Sequence, residues 1–309
     1  MRIIASTSTP ALQRGVRAGM SGLLMLTVAS AAHGPVLTEP SPADVTRAFA
    51  ATSTTVKPTS DATVNLLDKR GKIVVNSKTY AIYWGKQADF PTDLRRGMTN
   101  LLSGLNRSTY LSTINEYMRG KTATTKYVRS FVDTSRPPTV DPTPSVILAE
   151  VRKVLRATRT KPDSNAVYLV FSSNLPKADY CAWHAAGEIA GVQTQVAYVP
   201  NSAGTTACYP ADNFANVTPY SFGTRSIADN AVHELLEAMT DPIPQAGWID
   251  SDSNEIGDKC DFVYSAPVVL NGDGNVWQLQ SQWSNRNKQC IQVATSDGGT
   301  PGLQAAKAT

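Results

Sequence analysis

Histidine is nearly missing from this chain: of 309 residues only His33, His184 and His233 are of that type. Cysteine is scarce as well. Cys181, Cys208, Cys260 and Cys290 all lie in the C-terminal half, and none forms a C-x-x-C pair, so a four-cysteine zinc site lacks its usual spacing. Aromatic residues are few, and no dense Lys/Arg cluster interleaves with them, which argues against a nucleic-acid partner. No apolar run is long enough to span a bilayer. The G-x-S-x-G, Walker and dinucleotide-binding glycine patterns are absent, so serine-hydrolase and nucleotide chemistry have no support.

The N-terminus reads as a secretory signal over residues 1–31. Arg2, Arg14 and Arg17 form a basic region, an apolar run from Met20 to Ala29 follows, and Ala29-Ser30-Ala31 is an A-x-A cleavage pattern. Cleavage there lowers the basic count from 29 to 26 against 25 acids, so the mature chain is expected to be nearly neutral, soluble and exported, without membrane insertion. Residues 32–70 are rich in Ser, Thr and Pro and read as a flexible leader or pro-segment. Residues 71–295 read as one mixed α/β domain, and residues 296–309 as a disordered tail. An even cysteine count in an exported protein implies two disulfides. Three pairings are open; Cys181–Cys208 with Cys260–Cys290 is the expected one, because each closes one local loop.

Within the domain, Ile73–Val75 and Tyr80–Trp84 read as two strands of a hairpin turning through Asn76-Ser77-Lys78. Leu94, Met98, Leu101, Leu102 and Leu105 recur at helical spacing over 92–105, and residues 110–118 read as a further short helix. A strand is expected at 127–132. A helix capped by Ser145 is expected through Arg156, with Ile147, Leu148, Val151, Val154 and Leu155 on one face. The uninterrupted apolar run Ala166–Phe171 predicts a central strand covered on both faces. Further strands are expected at 194–199 and 276–283, and a helix at 226–240 that Pro242 ends.

That last helix carries the chemistry. His233-Glu234-Leu235-Leu236-Glu237 matches the zinc-protease signature H-E-x-x-H with Glu237 in place of the second histidine. Residues four apart share a helix face, so His233 and Glu237 could grip one ion, with Glu234 beside them as general base. Asn254-Glu255-Ile256-Gly257-Asp258 begins 21 residues after His233. This arrangement resembles thermolysin-like zinc proteases, which implies Glu255 as third ligand and Asp258 as the group that orients His233. With His33 beside the expected cleavage point, His184 is the only other imidazole able to join. One histidine and two carboxylates make a harder site than two histidines and one carboxylate, so manganese, iron or calcium become plausible beside zinc. Asp250-x-Asp252-x-Asn254-x-x-x-Asp258-x-x-Asp261 fits a calcium loop at positions 1, 3, 5, 9 and 12, but Glu255 stands where glycine is required. The simpler reading of that run is a solvated acidic turn.

A wider resemblance covers residues 165–292. Val167-Tyr168-Leu169-Val170-Phe171-Ser172-Ser173, Tyr180-Cys181-Ala182-Trp183-His184, Val196-Ala197-Tyr198-Val199-Pro200-Asn201 and Cys208-Tyr209-Pro210 resemble the exordium-like, phosphate-induced proteins. The motif helix, Glu255 to Cys260 and Gln282-Trp283-Ser284-Asn285 before Cys290 continue that order. The resemblance implies an extracellular protein of the cell-wall space with a disulfide-bearing α/β domain; it supplies no reaction. Two functions are expected from the residues. The first is a secreted, metal-dependent, peptidase-like hydrolase with a zincin-like arrangement, binding Zn2+ or another divalent cation such as Mn2+ or Ca2+. Its substrate would be a peptide or a cell-wall-associated polymer. The second is a non-catalytic extracellular protein that binds glycan or protein and uses the metal as a staple. In that reading Trp183, Trp248, Trp277 and Trp283 offer surfaces for sugars, although core packing is the better account of most of them.

Overall fold

The computed structural model describes residues 64–176, 180–209, 218–272 and 274–294. The expected signal segment and tail, and residues 32–63 of the expected leader, lie outside the described residues. Residues 64–70 do not behave as a leader. Leu66 is buried, and it exchanges hydrogen bonds with Asn285 through both its N–H and its carbonyl. Strand β1 (Leu67–Asp68) then pairs antiparallel with β7 (Trp248–Ile249).

The central sheet has the order β3-β2-β4-β6-β5. Strands β2 (Asn76–Trp84), β3 (Thr124–Asp133), β4 (Ala166–Ser172) and β6 (Val192–Pro200) are parallel, and β5 (Trp183–Ile189) runs antiparallel along the β6 edge. Alternation along the inner strands assigns their two faces. Ala81, Tyr83, Val167, Leu169, Phe171, Ala197 and Val199 enter one core, and Ile82, Trp84, Tyr168, Val170, Val196 and Tyr198 enter the other. Both faces are therefore covered, which is why β4 reads as one unbroken apolar run. Helices α1 (Leu94–Gly104) and α3 (Phe222–Thr240) cover the first face, and α2 (Pro144–Ala157) covers the second. The result is a three-layer mixed α/β domain closed by the small strand pairs β8 (Val268–Val269) with β9 (Val276–Trp277) and β10 (Gln282–Ser284) with β11 (Gln289–Ile291).

Several expectations are corrected. The hairpin through Asn76-Ser77-Lys78 does not form; β2 is one strand that lies parallel to both its neighbours. Ser77 and Thr79 look like turn residues but are buried, and both bond the hydroxyl of Thr125 on β3. Helix α2 starts at Pro144, not behind a Ser145 cap: proline's fixed φ and missing N–H suit the first helical position. Helix α3 begins four residues before the expected start. Ser221 accepts the Thr224 N–H, and Asp93 accepts the N–H and hydroxyl of Ser221 in turn. The 276–283 segment is split between β9 and β10. Strand β5 was not foreseen, because Ala185-Ala186-Gly187 carries little strand propensity. It is joined to β6 by Ala190 and Gly191, both at positive φ (52° and 75°), a two-residue turn whose twist matches the strands. The two disulfides are Cys181–Cys208 and Cys260–Cys290.

Helix α2 is fastened to β3 by a carboxyl pair. Glu150 is buried and hydrogen-bonds Asp133, while Lys153 forms ion pairs with both. Two carboxyl groups can share a hydrogen bond only if one keeps its proton. Burial, reinforced by Asp133, pushes Glu150 up to about 7. On Asp133 burial is outweighed by hydrogen bonds from Glu150, Lys153 and Ser135, which hold its carboxyl low. A folded pKa above the ordinary 4.5 means that the native state binds the extra proton between the two values, so the stabilisation is complete below about pH 4.5 and fades as pH rises through about 7. Glu150→Gln supplies a permanent donor. Its melting temperature is expected to fall less than that of the wild type between about pH 5 and 8, and equal falls would rule the shared proton out.

Candidate metal centre

Helix α3 is buried almost all round, so Glu234 and Glu237 are only 5% and 3% exposed. Ionised carboxylates inside a protein are costly unless paired or bound to a cation. Three other segments converge on them: β5 brings His184, the 250–262 segment brings Glu255 and Asp258, and the stretch between β9 and β10 brings Gln280.

The contacts are close. His184 Nδ1 lies 3.2 Å from Glu234 Oε2 and 3.7 Å from Glu237 Oε2. His184 Nε2 lies 3.0 Å from the Asp241 carbonyl and 3.6 Å from Glu255 Oε1. His233 Nε2 lies 3.1 Å from Glu237 Oε1 and 3.6 Å from Asp258 Oδ1. Glu237 Oε1 also accepts the backbone N–H groups of Gly257 (3.1 Å) and Asp258 (3.2 Å). Two overlapping groups result, each with ligand atoms within 4.8 Å of one another: the buried set His184, Glu237 and Glu255, and the more open set His233, Glu237 and Asp258. The buried His/Glu/Glu set could hold a metal ion. Within it, Glu255 Oε1 is buried without a hydrogen-bond partner, which suits a donor set built for a cation.

The expected ligands are thus all present but grouped differently. Glu255 stands with His184, not with His233, and Asp258 reaches His233 and also accepts the Glu255 N–H at 2.9 Å. Glu234 belongs to neither group and lines the same cavity, of about 510 Å3. Asp229 and Gln280 were not foreseen. Asp229 sits one turn before His233 on α3 and accepts the Tyr264 hydroxyl (2.6 Å) and the Gln280 N–H (2.7 Å). Its helical spacing from His233 was a usable signal; Gln280 gave none.

The charges are strongly coupled. Burial, and then Glu237, push Glu255 up to about 10. Burial alone would lower His184, but the hydrogen bond to Glu234 and the charges of Glu255, Glu234 and Glu237 raise it to about 10. Burial likewise lifts Glu237 to about 7 despite the opposing pull of His233. On Asp258 the His233 interactions outweigh burial and hold the carboxyl low. For His233, burial is outweighed by Glu237 and Asp258, which favour the imidazolium. Against this, the Gln280 amide nitrogen lies 3.0 Å from His233 Nδ1 and already donates to the Gly257 carbonyl at 2.8 Å. A donor facing Nδ1 disfavours a proton there, so this contact opposes the pull of Glu237 and Asp258 on the same ring.

The calcium loop is not formed. Asp250 is buried, Oδ2 accepts the Lys259 ammonium at 2.8 Å, and Oδ1 accepts the N–H groups of Asp252 and Asn254. A lysine takes the place a calcium ion would need, and Lys259 is itself buried over the Trp283 ring. The run is solvated only in part: Asp252, Asp258 and Asp261 are exposed, whereas Asp250 is buried with Lys259. Of the tryptophans, Trp277 and Trp283 are fully buried in the core, whereas Trp183 and Trp248 are half-buried and Trp183 lines the cavity.

Gly257 is where the two walls of the site touch. A Cβ there would lie 2.8 Å from His233 Cε1 and 2.9 Å from Glu237 Oε1. Gly257→Ala is expected to part His233 from Glu237 and to destabilise the protein by about 1–3 kcal/mol, the usual cost of overpacking. An unchanged denaturation midpoint would show that the walls yield freely.

No protein-family model matches this chain, and no curated protein matches it, so its function is argued from the site itself.

Proposed function

We propose that the protein is a secreted, metal-dependent hydrolase, peptidase-like in its chemistry, with a divalent ion held by His184, Glu237 and Glu255. The observation that carries this reading is Glu255 Oε1, buried without a hydrogen bond beside His184 and Glu237. The donor set is one imidazole and two carboxylates, which accommodates zinc or manganese. Such an ion would polarise a carbonyl and make a water more acidic. Glu234 is the general base: it borders the same cavity, and its carboxylate takes the proton of the attacking water and passes it to the leaving amine.

Supporting features are several. The mixed sheet with α3 against it and β5 on its antiparallel edge agrees with a zincin-like arrangement. Among the described residues lining the cavity there is no Lys or Arg, so a phosphoryl substrate would meet no cationic side chain beyond the imidazoles, and a neutral amide is the better fit. Two disulfides suit an oxidising, extracellular compartment and agree with the resemblance to exordium-like proteins. Among the described residues no helix is long and apolar enough to cross a membrane.

Glu234→Gln is expected to cut turnover of a peptide-library substrate by about 10²–10⁴-fold while leaving the metal content unchanged. Unchanged turnover would remove Glu234 from the mechanism. If the metal-loaded wild type cleaves nothing, and chelation instead lowers its melting temperature, the metal is a staple and the binding-protein reading stands.

A further inference from the structure

A second cavity, of about 290 Å3, lies away from the metal centre and has the opposite charge. Its apolar lining includes Leu155 of α2 and Ile189 of β5, both buried in the core on the α2 face of the sheet, together with Pro162. Arg152, Arg156 and Arg159 complete the wall. Among the described residues no Asp or Glu lines this cavity, just as no Lys or Arg lines the first.

Arginines near the end of a helix have an ordinary explanation: they complement its partial negative charge and bond its last carbonyls. Here those carbonyls are already taken. The Arg159 N–H bonds the Arg156 carbonyl (3.2 Å), and the Thr160 N–H bonds that of Leu155 (2.9 Å), with Arg159 in the left-handed conformation (φ 53°) that closes such a turn. The Val154 carbonyl accepts both the N–H and the hydroxyl of Thr158. Arg156 and Arg159 are exposed and make no side-chain hydrogen bond or ion pair among the described residues. Arg152 donates only to the Glu188 carbonyl on β5, at 3.3 Å, which holds it against the wall and leaves most of its donors free. Arg152 and Arg156 stand four apart on α2, where like charges repel. Three guanidinium groups thus line one apolar hollow without an acid to neutralise them.

We propose that this cavity binds a small phosphate or sulfate ester, its oxyanion held by Arg152, Arg156 and Arg159 and its apolar body resting on Leu155, Ile189 and Pro162. A carboxylate is planar and is filled by one or two guanidinium forks, whereas a tetrahedral ester presents three oxygens to three donors. The apolar lining gives the ester an advantage over the free inorganic ion. The site shares no residue with the metal centre and does not depend on that reading.

The test is calorimetric titration of the full, metal-free chain with phenyl phosphate, phenyl sulfate and inorganic phosphate. At least one ester is expected to bind saturably below about 1 mM and more tightly than inorganic phosphate. The tighter ester identifies the oxyanion. Arg156→Gln and Arg159→Gln should each weaken it about 10–100-fold, the loss of one charge-assisted contact. Arg129→Gln, an exposed arginine on β3 outside the cavity, should bind as wild type does. Without ligand, Arg156→Gln should melt no lower than wild type, because it relieves repulsion; with the ester, only the wild-type melting temperature should rise appreciably. Absence of saturable binding by both esters would overturn the proposal. So would equal affinity in the two cavity variants, or inorganic phosphate binding as tightly as the esters, which would mark an adventitious ion only. Metal content and turnover play no part in these readouts, so the metal-centre reading stands or falls separately.

Discussion

Glu237 is an ionisable side chain set almost wholly inside the protein, and the surroundings are organised by what that requires. It sits on α3 and contacts His233 one turn earlier on the same helix. Its Oε1 draws in two backbone N–H groups from the 250–262 segment, and its Oε2 faces His184 on the sheet edge. One carboxylate thus joins a helix, a loop and a strand that are remote in sequence. Because burial penalises its charge, each of these partners has a favourable electrostatic role beyond its packing.

The scaffold makes that convergence possible. Inner strands with two covered faces leave little freedom for register, so the antiparallel edge strand β5 is fixed against β6 and carries His184 to one place. Helix α3 lies over the same face of the sheet, capped by Ser221 and anchored through Asp93. The buried Asp250–Lys259 pair then holds the loop that carries Glu255 and Asp258. An exposed pair of that kind would contribute little, but a buried one leaves an unpaired charge if either partner is lost.

Much of the scaffold was legible in the sequence and less of the site. The apolar run of β4 and the stripe of α2 follow directly from periodicity, and the local pairing of cysteines matches the two disulfides. Strand β2 was misread because buried Ser77 and Thr79 satisfy their hydroxyls across a parallel pair, a tertiary contact that local propensity cannot register. At the site, the motif named Glu234 and Glu237, and the count of histidines left only His184 and His233 as candidates. Which carboxylate faces which imidazole depends on the loop after α3, and Gln280 enters from a segment with no motif at all. Spacing along one helix encodes a shared face, whereas the orientation of an amide from another segment is set only by the assembled fold.

The Cys260–Cys290 bond has a consequence for how the site is held. Cys260 lies two residues beyond Asp258, at the end of the short turn Asp258–Cys260, and its partner is on β11. A newly made chain whose thiols are still reduced holds every side chain of the site, yet the covalent strut that fixes one end of its acidic loop is missing. Oxidation therefore adds a covalent constraint to a loop that the Asp250–Lys259 pair and the backbone bonds to Glu237 already hold by non-covalent contacts.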